Sequence, residues 1–255
     1  MTFLQIKNLS VGIGSKTICQ GLDLDIHTGQ RWAILGMNGS GKTTLLHTLA
    51  GLHAMDSGDI LLNEKPITSL TRRQMAQSTG LLLQDYEDNF PGTVLQTVLA
   101  GRHPHMHNWQ WESPQDIQLA KDMLKKLELD NFFDRQITTL SGGERRRVAL
   151  AMLLTQSPEL FLMDEPTNHL DIHHQHHILQ LFCELVAQEN RTLIMVLHDI
   201  NLALRYCDHA LLLFENGEVL GGNIAEMLTT DNLQRLYQHP LVSIEGPTGP
   251  VFMPV

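Results

Sequence analysis

Arg31-Trp32-Ala33-Ile34-Leu35-Gly36-Met37-Asn38-Gly39-Ser40-Gly41-Lys42-Thr43-Thr44 joins an apolar run, a glycine-rich turn and the start of a helical stretch that reaches Leu49. Trp32 to Leu35 is apolar at every position, as a strand buried on both faces requires. Gly36 to Thr43 fits G-x-x-x-x-G-K-[ST], in the strand-to-helix setting that gives this pattern its meaning. Glycines let successive N–H groups converge on one oxyanion, and the helix N-terminus adds its positive dipole end. Gly36, Met37, Asn38, Gly39, Ser40, Gly41, Lys42, Thr43 and Thr44 are therefore expected to hold the phosphates of a nucleotide. Lys42 would supply a point charge to the β- and γ-phosphates and the Thr43 hydroxyl a ligand for Mg²⁺. The plainer reading is a glycine-rich turn with no ligand; the strand before it and the helix after it favour the phosphate site.

Outward from this stretch the chain divides by pattern. Leu4, Ile6 and Leu9, then Leu22-Asp23-Leu24-Asp25-Ile26, alternate as half-exposed antiparallel strands do, with a turn at Thr28-Gly29 before the buried strand. Further on, Leu160 to Met163, Leu193 to Leu197 and Leu211 to Phe214 are fully apolar, with helical stretches near Ile172 to Gln188 and Ile200 to Tyr206. Strands of this kind alternating with helices predict a parallel sheet covered on both faces. From Tyr86 to Ser157 no such strand occurs, and Thr93 to Leu99, Gln115 to Leu127 and Glu144 to Leu154 read as helix. The expected organisation is a single α/β domain of residues 1–85 and 158–255, interrupted by a helical insertion of residues 86–157.

The strand Leu160 to Met163 runs into Asp164-Glu165. Consecutive side chains at a strand end point in different directions. Asp164 can thus hold Mg²⁺ while Glu165 faces the water that attacks the γ-phosphate. Taken alone, the pair could equally be a capped strand end before Pro166; beside a phosphate loop it reads as catalytic.

Composition bounds the partners. The chain has 255 residues and a formal net charge of −10. An acidic surface argues against a general nucleic-acid binder, which needs a clustered positive face. The longest apolar run, Val148 to Leu154, falls far short of the roughly 20 residues of a bilayer span. No secretory signal opens the chain. Cys19, Cys183 and Cys207 lie far apart and suggest a reducing compartment.

Leu140-Ser141-Gly142-Gly143-Glu144 resembles the signature of ATP-binding-cassette ATPases. It lies in the expected order with Gln84 after Leu81-Leu82-Leu83, with Asp164-Glu165, with Asn168-His169-Leu170-Asp171 and with His198. The ordered set spans the phosphate loop to His198 and is far more specific than any one motif. It implies a P-loop NTPase ABC cassette with a RecA-like core, an N-terminal antiparallel β-subdomain and a helical insertion carrying the signature. It also implies ATP hydrolysis, with Glu165 as base and His198 orienting the water against the γ-phosphate. By the same resemblance Thr43, Gln84 and Asp164 are the Mg²⁺ ligands. Two copies are expected to pair head to tail, the signature of each covering the ATP of the other, with Asp171 crossing the interface. Ser141 followed by Glu144 is also a capping box, and both roles can coexist.

With no span of its own, such a chain implies separate membrane permease subunits. It would sit peripherally on the cytoplasmic face of the inner membrane, with a substrate-binding protein in the full system and no nucleic-acid partner. His198 to Tyr206 and the tail Leu228 to Leu233 resemble the importers of iron–siderophore, haem or cobalamin. The alternatives are a soluble ABC ATPase outside transport, or a subunit for an oxyanion or an exported compound. A guanine-reading Asn-Lys-x-Asp is absent from the sequence, which excludes the ordinary P-loop GTPase.

Three local expectations complete the picture. Ile13 stands where the family places an adenine-stacking aromatic. Asp85 to Pro91, with three carboxylates and two rings, reads either as a solvated turn or as part of a groove for a basic permease helix. His103, His105 and His107, and the cluster His173, His174, His176 and His177, read as surface histidines, with His173 and His177 at a chelating i, i+4 spacing.

Overall fold

A computed structural model describes residues 2–84, 92–107, 111–246 and 249–255. β1 (Thr2–Ile13) and β2 (Lys16–His27) form an antiparallel hairpin, and β3 (Arg31–Gly36) follows at once into the phosphate loop and α1 (Lys42–Leu49). β4 (Ser57–Leu62) and β5 (Lys65–Pro66) complete an antiparallel sheet in the order β2-β1-β4-β5. α2 (Arg72–Ser78) leads to β6 (Thr79–Leu82). Three helices come next, α3 (Val94–Leu99), α4 (Pro114–Lys126) and α5 (Gly142–Gln156), before the chain returns as β7 (Leu160–Asp164). The rest alternates: α6 (Ile172–Glu189), β8 (Thr192–Val196), α7 (Ile200–Tyr206), β9 (His209–Leu213), β10 (Val219–Asn223), α8 (Ile224–Met227) and α9 (Thr230–Tyr237). A hairpin of β11 (Leu241–Gly246) and β12 (Gly249–Pro254) ends the chain.

Among the described residues the main sheet has six strands in the order β10-β9-β3-β8-β7-β6, all parallel except the β10–β9 edge pair. Its central strands β3, β7 and β8 are almost wholly buried because each face meets a different core. Ala33, Leu35, Phe161, Met163, Leu193 and Met195 point to one cluster, shared with α5, α6 and the helical segment. Trp32, Ile34, Leu160, Leu162, Ile194 and Val196 point to the other, shared with α1 and the β1–β2 hairpin. The period of two in side-chain direction thus becomes two layers.

Capping explains where the helices start. Thr93 with Gln96, Ser113 with Asp116, and Ser141 with Glu144 each form a reciprocal capping box. Ser157 and Asn190 close α5 and α6 in the left-handed conformation. The signature helix begins at Gly142 rather than near Glu144, so Gly142 and Gly143 belong to its first turn.

Several elements are not evident in the sequence. α2 has no buried residue and hence no apolar stripe. In β4, Gly58 adopts φ +92, and a Cβ there would lie 2.4 Å from the Asn8 carbonyl, so a glycine sits inside a strand. β10 carries Gly221 and Gly222 for the same reason of close packing, against Leu211 and Met227. Pro247 and Thr248, between β11 and β12, lie outside the described residues, as do Asp85 to Pro91.

Candidate functional site

The carboxyl ends of β3, β6, β7 and β8 lie side by side, and the chain leaving each carries a group singled out above. Open α/β sheets bind ligands outside these strand ends. Gly39 (φ +75) and Gly41 (φ +101) supply left-handed turns, and a Cβ on Gly41 would meet the Ile18 side chain at 2.4 Å. Gly41 also caps α1 without any side-chain hydrogen bond, so the first amides of that helix have no side chain of their own chain to satisfy them. A cavity of about 590 Å³ opens here. Asn38, Gly39, Gly41, Lys42, Thr43 and Thr44 form its floor, Gln84, Glu165 and His198 one wall, and Ile13, Lys16 and Ile18 another.

Gly36, Met37 and Ser40 do not line this cavity; they support it. Lys42, almost fully buried, donates from Nζ to the carbonyls of Gly36 (2.9 Å) and Met37 (3.0 Å). Burial lowers its pKa, against the opposing pull of Glu165 and Asp164. The Ser40 hydroxyl is buried without a partner. Lys16 Nζ donates to the Gly39 carbonyl (2.7 Å), tying the β1–β2 turn to the phosphate loop.

Asp164 and Glu165 diverge. Asp164 ends β7 fully buried, and Thr43 Oγ1 donates to its Oδ2 (2.6 Å) while its Oδ1 has no hydrogen-bond partner. Burial raises the Asp164 pKa, with the Thr43 hydrogen bond acting in opposition. An orphaned buried carboxylate oxygen beside the Thr43 hydroxyl, with the Gln84 side chain lining the same cavity, offers oxygen donors of the kind Mg²⁺ takes, so the residues fit that ion. Glu165 adopts φ +48, rare for a residue with a Cβ. The bend turns its carboxylate toward three side chains: His198 Nε2 at Oε1, and Asn168 Nδ2 and Gln84 Nε2 (3.3 Å) at Oε2. Glu165 is nearly buried, whereas His198 is half-exposed.

The signature stands elsewhere. Leu140 is buried. Ser141 Oγ accepts from the Glu144 amide (3.3 Å), and the Ser141 amide donates to Glu144 Oε2 (2.7 Å). This second bond lowers the Glu144 pKa. The Ser141 amide is thus already engaged, leaving the Ser141 hydroxyl proton and the Gly142 and Gly143 amides. None of these groups lines the phosphate cavity. They border the loop to α6 instead, for a Cβ on Gly143 would lie 3.0 Å from the His169 carbonyl. Asp171 caps α6 through the His174 amide (2.9 Å), its carboxyl facing the His174 ring and mostly exposed.

Among the described residues no group of three His, Cys, Asp or Glu is placed to hold a metal ion through those side chains alone. The histidines of α6 join it to its neighbours. His177 Nε2 lies 2.8 Å from the Lys126 carbonyl, His176 Nδ1 2.6 Å from the Tyr206 hydroxyl, and His173 and His174 face Glu128.

Two participants escaped the motif reading. Asn168, quoted above only as part of a loop, holds the Glu165 carboxylate. Arg146 is buried in α5 and donates to backbone carbonyls around the site. The signal was available: Arg146, Ala149, Leu150 and Leu153 share the buried stripe of one helix, where a charge is out of place.

The sequence profile of the ABC transporter family matches residues 19–168. The ferric enterobactin transport ATP-binding protein FepC of Escherichia coli (strain K12) is 34% identical over 254 residues, covering 99% of this chain and 94% of its own. The iron(3+)-hydroxamate import ATP-binding protein FhuC of Bacillus subtilis (strain 168) is also 34% identical, over 238 residues, covering 93% of this chain and 88% of its own. Among solved structures, a chain of an inward-facing ABC transporter, described as of the metal-chelate type, superposes with a TM-score of 0.87 at 29% identity, covering 100% of this chain and 97% of that one.

Proposed function

This chain belongs to the ABC transporter family, and we propose that it is the ATP-hydrolysing subunit of an importer for an iron–siderophore or similar metal chelate. The supporting observation is the convergence of Lys42, Thr43, Gln84, Glu165 and His198 on one cavity, in a chain that matches two iron-chelate import proteins almost end to end. Those two relatives are equally similar yet act on different chelates, so the cargo class is proposed and no single chelate.

The phosphate loop amides and Lys42 bind the β- and γ-phosphates, and Ile13 and Ile18 offer an aliphatic shelf to the base. Thr43, Asp164 and Gln84 would hold Mg²⁺, which would neutralise charge at the phosphates. Glu165 is the base that takes a proton from the attacking water. His198 and Gln84, both bonded to its carboxylate, fix where that water stands. Because the Ser141 hydroxyl and the Gly142 and Gly143 amides lie outside this cavity, a second copy brings its own to the γ-phosphate, with Asp171 at the join. Residues 86–157 are the helical subdomain that carries the signature, inserted in the α/β core of 1–85 and 158–255.

No helix among the described residues is long and apolar enough to cross a membrane. Permease subunits supply the pathway, a substrate-binding protein delivers the chelate, and this chain rests on the cytoplasmic face of the inner membrane. Co-expression with the cognate permease tests the assignment. A stable complex should form in detergent, and iron-chelate uptake into proteoliposomes should require ATP. ATP-independent uptake, or uptake of an unrelated solute alone, would refute it.

A further inference from the structure

The signature helix α5 carries three consecutive arginines that face three directions. Arg145 Nε returns to the Leu140 carbonyl (3.0 Å), and Arg147 Nη1 reaches the Leu127 carbonyl (3.0 Å) beyond α4. Arg146 turns inward. Its Nη1 donates to the carbonyls of Leu83 (2.5 Å) and Gln84 (3.2 Å), its Nη2 to those of Asp164 (2.5 Å) and Glu165 (2.7 Å), and its Nε to that of Pro166 (3.4 Å). A guanidinium has five N–H donors in a fixed plane, and all five meet backbone oxygens.

These carbonyls are a particular set. β6 and β7 are neighbouring parallel strands, and Leu83 to Gln84 and Glu165 to Pro166 are where each chain leaves the sheet. Carbonyls beyond the last ladder bond need other partners when buried. Three of the five flank the left-handed bend at Glu165 (φ +48), a conformation kept only where the surroundings over-determine it. That bend sends Asp164 toward Thr43 and Glu165 toward His198, Asn168 and Gln84. We propose that Arg146 is a positioning residue for hydrolysis: it sets the angle between the two carboxylates and ties the Glu165 carboxylate to the signature helix.

The second half of this statement has a mechanical consequence. Arg146 lies on the same rigid helix as Ser141, one and a half turns further along. A shift of that helix moves the guanidinium and therefore the backbone beneath Glu165. In the head-to-tail pair the signature of one copy meets the ATP of the other, so closure over one ATP sets the base beside the second. A lysine cannot stand in, because its ammonium has three donors, tetrahedrally arranged, and no plane.

The inference rests on Glu165 being the base, and the experiment separates the two. The full chain is compared as Arg146→Lys, Arg146→Gln, Glu165→Gln and Arg146→Lys/Glu165→Gln, by ATP affinity, steady-state hydrolysis and thermal melting. Arg146→Lys should keep ATP affinity within about twofold while kcat falls about 10²-fold, the cost of a small misplacement of a reacting group. In the Glu165→Gln background the same change should cost nothing further, since Arg146 acts through Glu165. Near-normal hydrolysis by Glu165→Gln would sink the base assignment. A dead Glu165→Gln beside an Arg146→Lys with unchanged kcat would sink the positioning role alone. So would a weakened ATP affinity with kcat preserved, additive losses in the double variant, or an Arg146→Lys chain that no longer folds, each of which marks a merely structural arginine. Arg146→Gln, with two donors for five carbonyls, should lie below Arg146→Lys in kcat; the reverse order counts against the proposal.

Discussion

Two helix N-termini in this chain begin with glycine, and they are built in opposite ways. α1 starts from Gly41 at φ +101 with no side-chain cap, and Lys42 and Thr43 follow at once. α5 starts from Ser141 at φ −65 with a complete capping box, Ser141 and Glu144 serving each other. The first leaves its amides for a ligand and stands beside a buried lysine and two carboxylates. The second satisfies part of itself and keeps only a hydroxyl proton and two glycine amides to offer. A multiply charged phosphate can be held by the first alone. The second suits a supplementary contact to a phosphate that another surface presents. The contrast is the physical basis for expecting half of each ATP site to come from a second copy.

The strongest way to break this comparison is at the self-sufficient end. Glu165→Gln keeps the size and the contacts to Asn168 and Gln84 but removes the carboxylate proposed as base. Turnover should fall by about 10²–10⁴-fold, the usual share of a general base, while ATP binding persists and a nucleotide-bound dimer accumulates. Light scattering with ATP reports the dimer and phosphate release reports the rate. A monomer that binds ATP and never pairs would remove the reason for a second cradle.

A smaller effect probes the capped end. Ser141→Ala deletes the N-cap and should cost about 1 kcal/mol of stability, together with a loss of hydrolysis that ATP affinity in the monomer does not share. The other half of the cap, Glu144, makes a pH-dependent contribution. The Ser141 amide holds the Glu144 carboxyl below its ordinary value of 4.5. A depressed acid contributes stability that is present above its unfolded pKa and lost as pH falls through its folded one. The parent's advantage over Glu144→Ala should therefore hold at neutral pH and shrink as acid is added below that value. Urea melts across pH 3 to 7 measure it; a gap that widens in acid contradicts the capping role of Glu144.

What could be read ahead of the structure follows the same division. The phosphate loop, the strands ending at Leu35, Met163 and Leu197, and the helices from Thr93, Gln115 and Glu144 are local patterns, because buried parallel strands and capped helices state themselves in a few adjacent residues. Pairing across the fold is different. Arg146 gains its meaning from the carbonyls of Leu83 and Glu165, distant in sequence, and the ring of His198 from a carboxylate on another strand. α2 stayed hidden because a helix with no buried face has no stripe, and β4 because Gly58 interrupts it where Lys7 and Asn8 come close. The histidines of α6 were legible as surface residues despite an i, i+4 spacing that could chelate, but their partners were not: His177 is drawn to the Lys126 carbonyl and His173 to Glu128.

The finest test lies at the edge of the phosphate site, where Ile13 stands in the place that the family resemblance gives to a ring. Its side chain is 52% exposed and lines the cavity beside Ile18. The β1–β2 turn that bears it is latched to the phosphate loop by Lys16 on the Gly39 carbonyl. A ring at this position would thus be held over the cavity rather than swinging into solvent, and stacking on a purine is worth about 0.5–1.5 kcal/mol beyond area. Ile13→Tyr should tighten ATP by about 2- to 10-fold, that energy expressed as a ratio, with kcat unchanged because nothing at Glu165 moves. Lys16→Ala in the same background should return part of the gain by loosening the turn. Isothermal titration at constant salt reads both. An Ile13→Tyr chain with unaltered ATP affinity would mean that the base lies elsewhere and that the aliphatic shelf is no part of the site.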